Sequence, residues 1–451
     1  MVSGCFERVL ISSVDTFRDG GLHGWIAVLG LFTSRLAWNV LVKCLGMMLP
    51  TLQEQFVTST WLIGWMVAFV DAGVEGSGVI ATPLMDRFGA RTVVTVCGLV
   101  AGISVITASF LSSLYGITFI LTIFTGPAFG ISYVITKNLI GSYFSKSITT
   151  AYGLSTLGSS FTFFVVPLIQ LFLDIYGWRG TWLLLGGWFL NLAVVGALMK
   201  PPAASGSRDG YEPAHTDEEQ YTGEDKLAPN NRFGCSYFIR IFSSTRDTFQ
   251  LGLFSSISFL LIVLNYSVWQ LFYSAWIIYY VQYTTVSKGF TLEDASQFII
   301  AYGVGRTFAC LLIGPLVQSV QAVSTHTWLA GALLLSGVYY AVDPWLTSYW
   351  PIVANSLMFG FFYPVTSILM DVVVKEIFGK EQMGHVFGWL GLVSGLAKLL
   401  LLYFPGLMYD LTGDYTVVFS LMAGAQSLTV FATLGLSWRQ KYHISSSEAS
   451  S

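Results

Sequence analysis

Long apolar blocks separated by short polar connections account for most of the chain. Clear examples are the blocks at 61–83 and 328–342. A helix needs about 20 mostly apolar residues to cross the hydrocarbon core of a bilayer. The pattern predicts twelve such spans, at 24–49, 61–84, 92–113, 116–141, 149–173, 180–199, 249–280, 294–317, 324–343, 349–374, 385–405 and 416–437. The sequence therefore predicts an all-α membrane protein with twelve transmembrane helices.

One long polar stretch, 201–247, separates the sixth predicted span from the seventh. It is rich in Gly, Pro, Asp, Glu and Asn and has few large apolar side chains. Such a composition cannot bury enough apolar surface to fold by itself. The predicted order is a cytosolic N-terminus at 1–23, a six-helix bundle at 24–199, a cytosolic central loop at 200–248, a second bundle at 249–437 and a cytosolic tail at 438–451.

The composition agrees with a membrane protein and excludes several other classes. The chain is 54% hydrophobic and 10% charged, whereas soluble domains carry about 25% charged residues. The net charge of −3 comes without a basic tail, so we expect no nucleic-acid partner. The five cysteines are scattered and do not form a disulfide framework. No nucleophile–base or metal-ligand motif is visible, so we expect no enzyme, no cofactor and no metal site.

The basic residues are unevenly distributed over the predicted topology. With the N-terminus inside, fifteen of the 22 Lys and Arg residues lie in cytosolic segments, and only Arg179 and Lys288 lie in outer loops. The excess of basic residues on the cytosolic side persists when those of the central loop are left out of the count. Because basic residues are retained on the cytosolic side, we expect both termini to face the cytosol.

Eight Lys, Arg, Asp and Glu side chains remain inside the predicted spans when the terminal residues of each span are left out. They are Arg35, Lys43, Asp71, Glu75, Lys137, Arg306, Asp371 and Lys398. A charge at the centre of a helix costs about 2.5–3.5 kcal/mol on insertion scales, so it should face the protein interior, a partner or water. A charge near a helix end can instead extend to the headgroups. We expect this of Lys137, we place Asp371 at a solvated cytosolic end, and Arg35 is compatible with either environment.

Two of these cations predict an anion site in the middle of the membrane. Arg306 lies at the centre of the eighth span, directly after Gly303 and Gly305, which permit close helix packing. Its planar guanidinium matches a carboxylate through two hydrogen bonds. Lys43 lies roughly 9 Å from the middle of the first span toward the outside. An ammonium partly removed from water loses its proton more readily, so Lys43 is either an anion contact or a proton acceptor.

The residues Asp86 to Arg91, DRFGAR, resemble a signature of the major facilitator superfamily. There it forms a cytosolic turn between the second and third helices. With twelve spans and a central loop, the chain is identified as a member, which implies the major facilitator fold of two six-helix bundles. In that fold the second and eleventh helices meet between the halves. We therefore expect Asp71 or Glu75, which share one face of a helix, to pair with Lys398 as a gate between the halves.

Other segments resemble the monocarboxylate transporter family of this superfamily. The stretch Arg18 to Trp25, RDGGLHGW, is similar to the DGGWGW start of that family. Eighteen residues beyond Trp25 is Lys43, where lactate-carrying members have a lysine in their first helix. Further similarity occurs at 141–158 and 406–415. The resemblance covers nearly all of the membrane region.

This resemblance implies roles for individual residues. Lys43 and Arg306 would hold a carboxylate, and Tyr302 and Tyr363 would shape the pocket around its organic end. Proton-coupled members carry an aspartate four residues before the arginine, where this chain has Tyr302. Their lysine–aspartate–arginine set is therefore incomplete here. Glu75 stands where those members have a pocket tyrosine, so it is the alternative carboxyl for proton coupling.

The sequence thus predicts a plasma-membrane secondary transporter of small monocarboxylates or related organic anions, with or without proton coupling. It would work by alternating access around a site at the membrane midplane. One alternative is a carrier of an amino acid or another zwitterion, whose amine Asp71 and Glu75 would bind. Another is a membrane sensor that does not transport. Some family members need a single-span glycoprotein to reach the cell surface, so the resemblance also implies such a partner.

Overall fold

The structure of this chain is a computed structural model that describes residues 19–56, 60–200, 248–320, 323–401, 404–413 and 415–448. Every regular element in these ranges is a helix. Nearly all of the predicted N-terminal segment and central loop lie outside the described residues. The division into bundles at 24–199 and 249–437 therefore stays a prediction, and we refer to α1–α6 as the first half and α7–α12 as the second half.

The first half consists of six helices. They are α1 (Gly21–Phe56), α2 (Thr60–Phe88), α3 (Ala90–Phe110), α4 (Leu114–Tyr143), α5 (148–176) and α6 (178–198). A continuous helical run contains both α5 and α6, and it bends at Gly177, where φ is 66° and ψ is −179°. Glycine adopts this positive φ without the steric penalty that a Cβ atom would bring. The bend divides one long apolar stretch into two membrane-length helices.

The second half repeats this construction. Its helices are α7 (Ile257–Ser287), α8 (Leu292–Ser319), α9 (Thr325–Val342), α10 (349–378), α11 (380–401) and α12 (Tyr415–Glu448). The bend between α10 and α11 is at Gly379, with φ of 67° and ψ of −176°. A short helix, Phe404–Thr412, follows α11. Most predicted boundaries agree within a few residues. Among the exceptions, α1 continues to Phe56, α7 begins at Ile257 rather than at 249, and α12 continues to Glu448 rather than ending at 437.

Nine helical segments of the described chain are long and apolar enough to cross a membrane. Two of these segments are the bent pairs α5–α6 and α10–α11, so the nine segments contain eleven helices. The shorter α9 is the twelfth. Large apolar side chains also cover the outer surface, and Phe119, Phe164 and Phe431 are each 60% exposed or more. Such a surface requires lipid around it, which makes the chain a multi-pass membrane protein.

The two halves pack tightly where α2 meets α11 and where α5 meets α8. A Cβ atom added to Gly388 on α11 would lie 2.5 Å from the carbonyl oxygen of Gly78 on α2. One added to Gly153 on α5 would lie 2.6 Å from the carbonyl oxygen of Cys310 on α8. Small residues allow membrane helices to approach this closely. These contacts fix which faces of the helices are turned toward the interior.

Further contacts join the halves at the proximal end, which we define as the end at which α1 begins. Lys380 Nζ donates a hydrogen bond of 3.0 Å to the carbonyl oxygen of Ser142. Lys375 donates to the carbonyl oxygen of Phe144. Both acceptors lie at the C-terminal end of α4, where unpaired carbonyl groups favour a cation. Two lysines of the second half therefore hold the proximal end against the first half.

Asp19 fastens the start of α1 to the connection between α4 and α5. Its carboxylate accepts hydrogen bonds from the backbone N–H groups of Ser145, Lys146 and Ser147, at 3.2, 2.8 and 2.8 Å. Partial burial by itself would raise the pKa of Asp19. The hydrogen bonds, those from Ser147 foremost, outweigh burial and lower its pKa below the ordinary value. The carboxylate is therefore the form that holds this contact together.

Candidate functional site

Arg306 is buried at the middle of α8 and has no acidic partner in the described part of the chain. Its Nη1 donates hydrogen bonds of 3.1 Å to Tyr302 Oη and 3.3 Å to Tyr273 Oη. The guanidinium carbon lies 5.8 Å from the centre of the Tyr363 ring. Only 7% of the residue is exposed, and its Nε has no hydrogen-bond partner. Aromatic faces and hydroxyl groups stabilise this cation, but they leave its charge uncompensated.

Close packing of α8 against α10 brings Arg306 to this position. A Cβ atom on the neighbouring Gly305 would lie only 2.1 Å from the carbonyl oxygen of Leu357 on α10. A Cβ atom on Gly360 would lie 2.0 Å from the carbonyl oxygen of Tyr302. The two backbones are therefore in direct contact beside the arginine. This contact also brings Tyr363, one turn after Gly360, to the guanidinium.

A stack of aromatic rings surrounds the arginine. The ring centres of Tyr273 and Tyr363 are 4.1 Å apart, and those of Trp269 and Tyr363 are 4.6 Å apart. Tyr302 is fully buried and Tyr363 is 5% exposed, whereas Tyr273 is half-buried. The two predicted pocket tyrosines therefore hold the guanidinium in place. Tyr273 presents more of its surface beside Arg306 than either of them.

The contribution of α7 was not predicted from the sequence. Tyr273 lies four residues after Trp269 and three after Gln270 on this helix, spacings that place side chains on one helical face. This face contacts Tyr363, through ring stacking and through a hydrogen bond of 3.4 Å from Tyr363 Oη to Gln270 Oε1. The spacing was a usable signal, but the surrounding residues of α7 are also aromatic and apolar, which concealed it.

Lys43 lies on α1 in the first half, opposite the arginine of the second half. Its ammonium is 5.0 Å from the centre of the Phe163 ring on α5, and the side chain is half-buried. It forms no ion pair with any acid among the residues that the structure describes. Gly303, one turn before Arg306 on α8, packs against the same ring, because a Cβ atom added to it would lie 3.3 Å from Phe163. The two predicted anion-binding cations therefore belong to one region, with one cation supplied by each half.

Lys398, Asp71 and Glu75 form a group that we call the midplane cluster. Lys398 Nζ lies 2.8 Å from Asp71 Oδ2 and 2.7 Å from Glu75 Oε1, so it binds both acids at once. Glu75 also accepts hydrogen bonds of 3.0 Å from Gln270 Nε2 and from Ser394 Oγ. The expected contact between α2 and α11 is present. Its role as a gate stays a prediction.

The three remaining charges form a second group, which we call the proximal cluster. Lys137 Nζ lies 2.6 Å from Asp371 Oδ1, and Arg35 Nη2 lies 3.7 Å from Asp371 Oδ2. Arg35 also donates a hydrogen bond of 3.1 Å to Tyr133 Oη. The exposed fraction of these charged side chains is 7% for Arg35 and 2% for Lys137 and Asp371. The cluster joins α1 and α4 of the first half to α10 of the second.

The proximal cluster shows that two expectations were wrong. Lys137 does not extend to the headgroups, and Asp371 is not at a solvated helix end. Position along the helix suggested both, but helix rotation turns the two side chains toward each other. Once paired and hydrogen-bonded, two opposite charges can stay in the interior. Arg35, whose environment the sequence left undecided, faces the interior.

The described residues contain no group of His, Cys, Asp and Glu side chains that could hold a metal ion. The three described cysteines, Cys44, Cys97 and Cys310, are free and buried. The chemistry of the interior is therefore carried by charges and aromatic rings.

Comparison with known sequences relates the whole membrane region to transporters. The sequence model of the Major Facilitator Superfamily matches residues 27–401. Monocarboxylate transporter 12 of Rattus norvegicus is 27% identical over 409 residues, which cover 89% of this chain and 83% of the relative. Monocarboxylate transporter 1 of Bos taurus is 26% identical over 448 residues, which cover 93% and 86%. These matches confirm the predicted resemblance, and they agree with the expectation that the chain is not an enzyme.

Two solved structures share the fold. The human organic anion transporter MFSD10 (TETRAN) has a TM-score of 0.65 at 16% identity, over 91% of this chain and 98% of that one. The proton:xylose symporter XylE has a TM-score of 0.63 at 12% identity, over 91% and 94%. At these identities the similarity establishes the fold alone. It confirms the predicted all-α membrane architecture.

Proposed function

Because the chain belongs to the Major Facilitator Superfamily, we propose that it is a secondary transporter of small monocarboxylates or related organic anions. The observation that carries this proposal is the pair Lys43 and Arg306. They come from opposite halves, and neither forms an ion pair with a described acid. The Phe163 ring that Lys43 faces also packs against the turn of α8 that precedes Arg306, so the two like charges repel each other. An anion bound between them would relieve this repulsion. The names of the similar transporters, which refer to monocarboxylates and organic anions, support the same substrate class.

The geometry suggests how a carboxylate would bind. Arg306 can offer it two parallel hydrogen bonds, because the guanidinium is a planar fork. Tyr302 and Tyr273 accept hydrogen bonds from Nη1 and keep the fork from rotating. The Lys43 ammonium, which faces the ring of Phe163, would provide the second positive charge. Tyr363 and Tyr273 would then shape the space for the organic part.

Alternating access requires the contacts between the halves to break and re-form during the cycle. The lysine contacts at the proximal end of α4 close that end in this structure. The midplane cluster joins α2 to α11, which makes it the proposed gate between the halves. Exchanging the charges, with Glu75→Lys and Lys398→Glu together, should restore transport that either single change removes. Failure of every such exchange would contradict the proposed gate.

Proton coupling, if present, would use the midplane cluster. Two acids share one lysine there, so the cluster has one carboxylate in excess of its cations. Glu75 is the buried member, with 4% of its side chain exposed, whereas the Asp71 side chain is 31% exposed. Glu75→Gln should remove any dependence of uptake on pH. Uptake with the same pH dependence as the unmodified protein would rule out this role.

The proposed function is tested by uptake of labelled lactate into proteoliposomes. Arg306→Gln should reduce uptake at least about tenfold, because a hydrogen bond to a charged group contributes about 1.5–3 kcal/mol. Arg179→Gln removes an exposed arginine near the membrane surface and should leave uptake unchanged. Uptake that is unaffected by Arg306→Gln would contradict the proposal. Binding of lactate without flux would favour the sensor.

The structure gives less support to a zwitterionic substrate. The acids that would bind an amine, Asp71 and Glu75, are already bonded to Lys398. Labelled amino acids in the same uptake assay separate this alternative. The plasma-membrane location, the cytosolic termini and a single-span glycoprotein partner are also part of the proposal. Surface labelling of cells, with and without the partner, tests them.

A further inference from the structure

We propose that the preferred substrate is a dianion with two separate acidic groups, bound by Arg306 together with Lys43 and Arg35. This inference rests on the proposed anion transport and makes its substrate class more specific. Its basis is the number and position of the buried charges. The eight charged side chains of the predicted spans comprise five cations and three acids, and the buried pair Lys288 and Asp343 adds no net charge. Their formal sum is +2, which a substrate of charge −2 would neutralise.

The excess positive charge is concentrated near Arg306. In the midplane cluster a single lysine faces two acids, so this cluster contributes no positive excess. In the proximal cluster Lys137 and Asp371 are 2.6 Å apart and neutralise each other. Three cations are then left without full compensation, and they are Arg35, Lys43 and Arg306.

Arg35 is a cation with free binding capacity. Its closest approach to Asp371 is 3.7 Å, beyond hydrogen-bond distance, whereas Lys137 is bound to the other carboxylate oxygen at 2.6 Å. Its one described side-chain hydrogen bond goes to Tyr133 Oη, and its Nε has no partner. Only 6% of the residue is exposed. A buried guanidinium in this state gains from an anionic partner, since an uncompensated buried charge is costly.

The three cations are arranged along the direction of transport. Lys43 and Arg35 are eight residues apart on α1, which separates their Cα atoms by about 12 Å along the helix axis. Arg306 lies beside Lys43, because the Phe163 ring that the Lys43 ammonium faces at 5.0 Å also packs against Gly303, one turn before Arg306.

Toward Arg35 the connection runs through aromatic rings. Arg35 donates to Tyr133, and Lys137 faces both Tyr133 and Tyr266. Tyr266, Trp269 and Tyr363 then pack in series up to Arg306. One carboxylate can join Arg306 to Lys43 and leaves Arg35 with only its long ion pair to Asp371, which Lys137 shares. A second acidic group on a short linker would reach Arg35.

The test compares two acids that have four carbons each and differ by one carboxylate. Labelled succinate and labelled butyrate are supplied at neutral pH to proteoliposomes that contain the full chain. We expect uptake of succinate at low concentration to exceed that of butyrate about tenfold or more, because one further charged contact is formed. Arg35→Gln should lower the succinate-to-butyrate ratio about tenfold. Arg179→Gln, the matched control, should leave this ratio unchanged.

The possible outcomes separate the inference from the proposed function. A ratio near one that Arg35→Gln does not change would overturn the dianion, while anion transport itself would stand. Uptake of neither acid, together with no effect of Arg306→Gln on lactate, would contradict the proposed function instead. If Arg35→Gln does not fold, Arg35→Lys replaces it. That variant keeps the charge but loses the planar fork, so a ratio equal to that of the unmodified protein would count against a contact with Arg35.

Discussion

Replacing Lys398 with methionine should destabilise the protein by leaving Glu75 buried without a cation. Lys398 Nζ lies 2.7 Å from Glu75 Oε1, and the two side chains are 8% and 4% exposed. Methionine has a similar length and no charge, so the change removes the ion pair with little loss of packing. The carboxylate of Glu75 would then remain in the interior without a counter-charge.

The structure sets the size of this effect. Removing one partner of a buried ion pair costs about 3–5 kcal/mol. Glu75 keeps its hydrogen bonds from Gln270 and Ser394, so we expect the lower end, about 3 kcal/mol. Asp71 is bonded to the same lysine but its side chain is 31% exposed. Asp71→Asn should therefore cost less than about 1 kcal/mol, as exposed ion pairs do.

The assay is a double-mutant cycle on unfolding in mixed micelles, with variants Lys398→Met, Glu75→Gln and both together. Glu75→Gln should recover most of the stability that Lys398→Met removes, because no buried charge then remains without a partner. A coupling free energy of about 2 kcal/mol or more is expected for groups in direct contact. A Lys398→Met protein as stable as the unmodified one would refute this reasoning. So would a double variant that is no more stable than Lys398→Met alone.

Three further predictions concern other parts of the fold. Lys137→Met should lower the free energy of unfolding by about 3 kcal/mol, and adding Asp371→Asn should recover most of the lost stability. A Lys137→Met protein as stable as the unmodified one would argue against the proximal cluster. Gly305→Ala should prevent recovery of a monodisperse protein, because its Cβ atom would lie 2.1 Å from a backbone oxygen of α10. Gly331→Ala is the control and should be tolerated, because a Cβ atom there has no atom within 4 Å. The pKa of Asp19 is lowered by its hydrogen bonds, so the contact is complete above the ordinary carboxyl pKa and is lost as the pH falls through the lowered value. Asp19→Asn should therefore increase hydrogen exchange in the α4–α5 connection at neutral pH, and equal exchange rates would contradict this.

The sequence by itself determined the architecture and the presence of charges in the interior. A helix that crosses a membrane must be apolar over its own length, so each span is visible locally. The cost of a buried charge is also local, which is why Arg306 and Lys43 stood out as candidates before any contact was known. The acids of α2 and the lysine of α11 could be paired because the superfamily resemblance indicated which helices meet.

Only the tertiary structure decided how each helix is rotated and which side chains meet. Position along a helix suggested a headgroup environment for Lys137 and a solvated end for Asp371, yet the two face each other in the interior. Position along the helix also left the environment of Arg35 undecided. Tyr273 was not singled out, because the residues around it on α7 are aromatic as well. The physical reason is that a mean apolar character places a helix in the membrane but does not fix its rotation. Rotation follows from close contacts such as that of Gly305 with α10, and these depend on residues far apart in the chain.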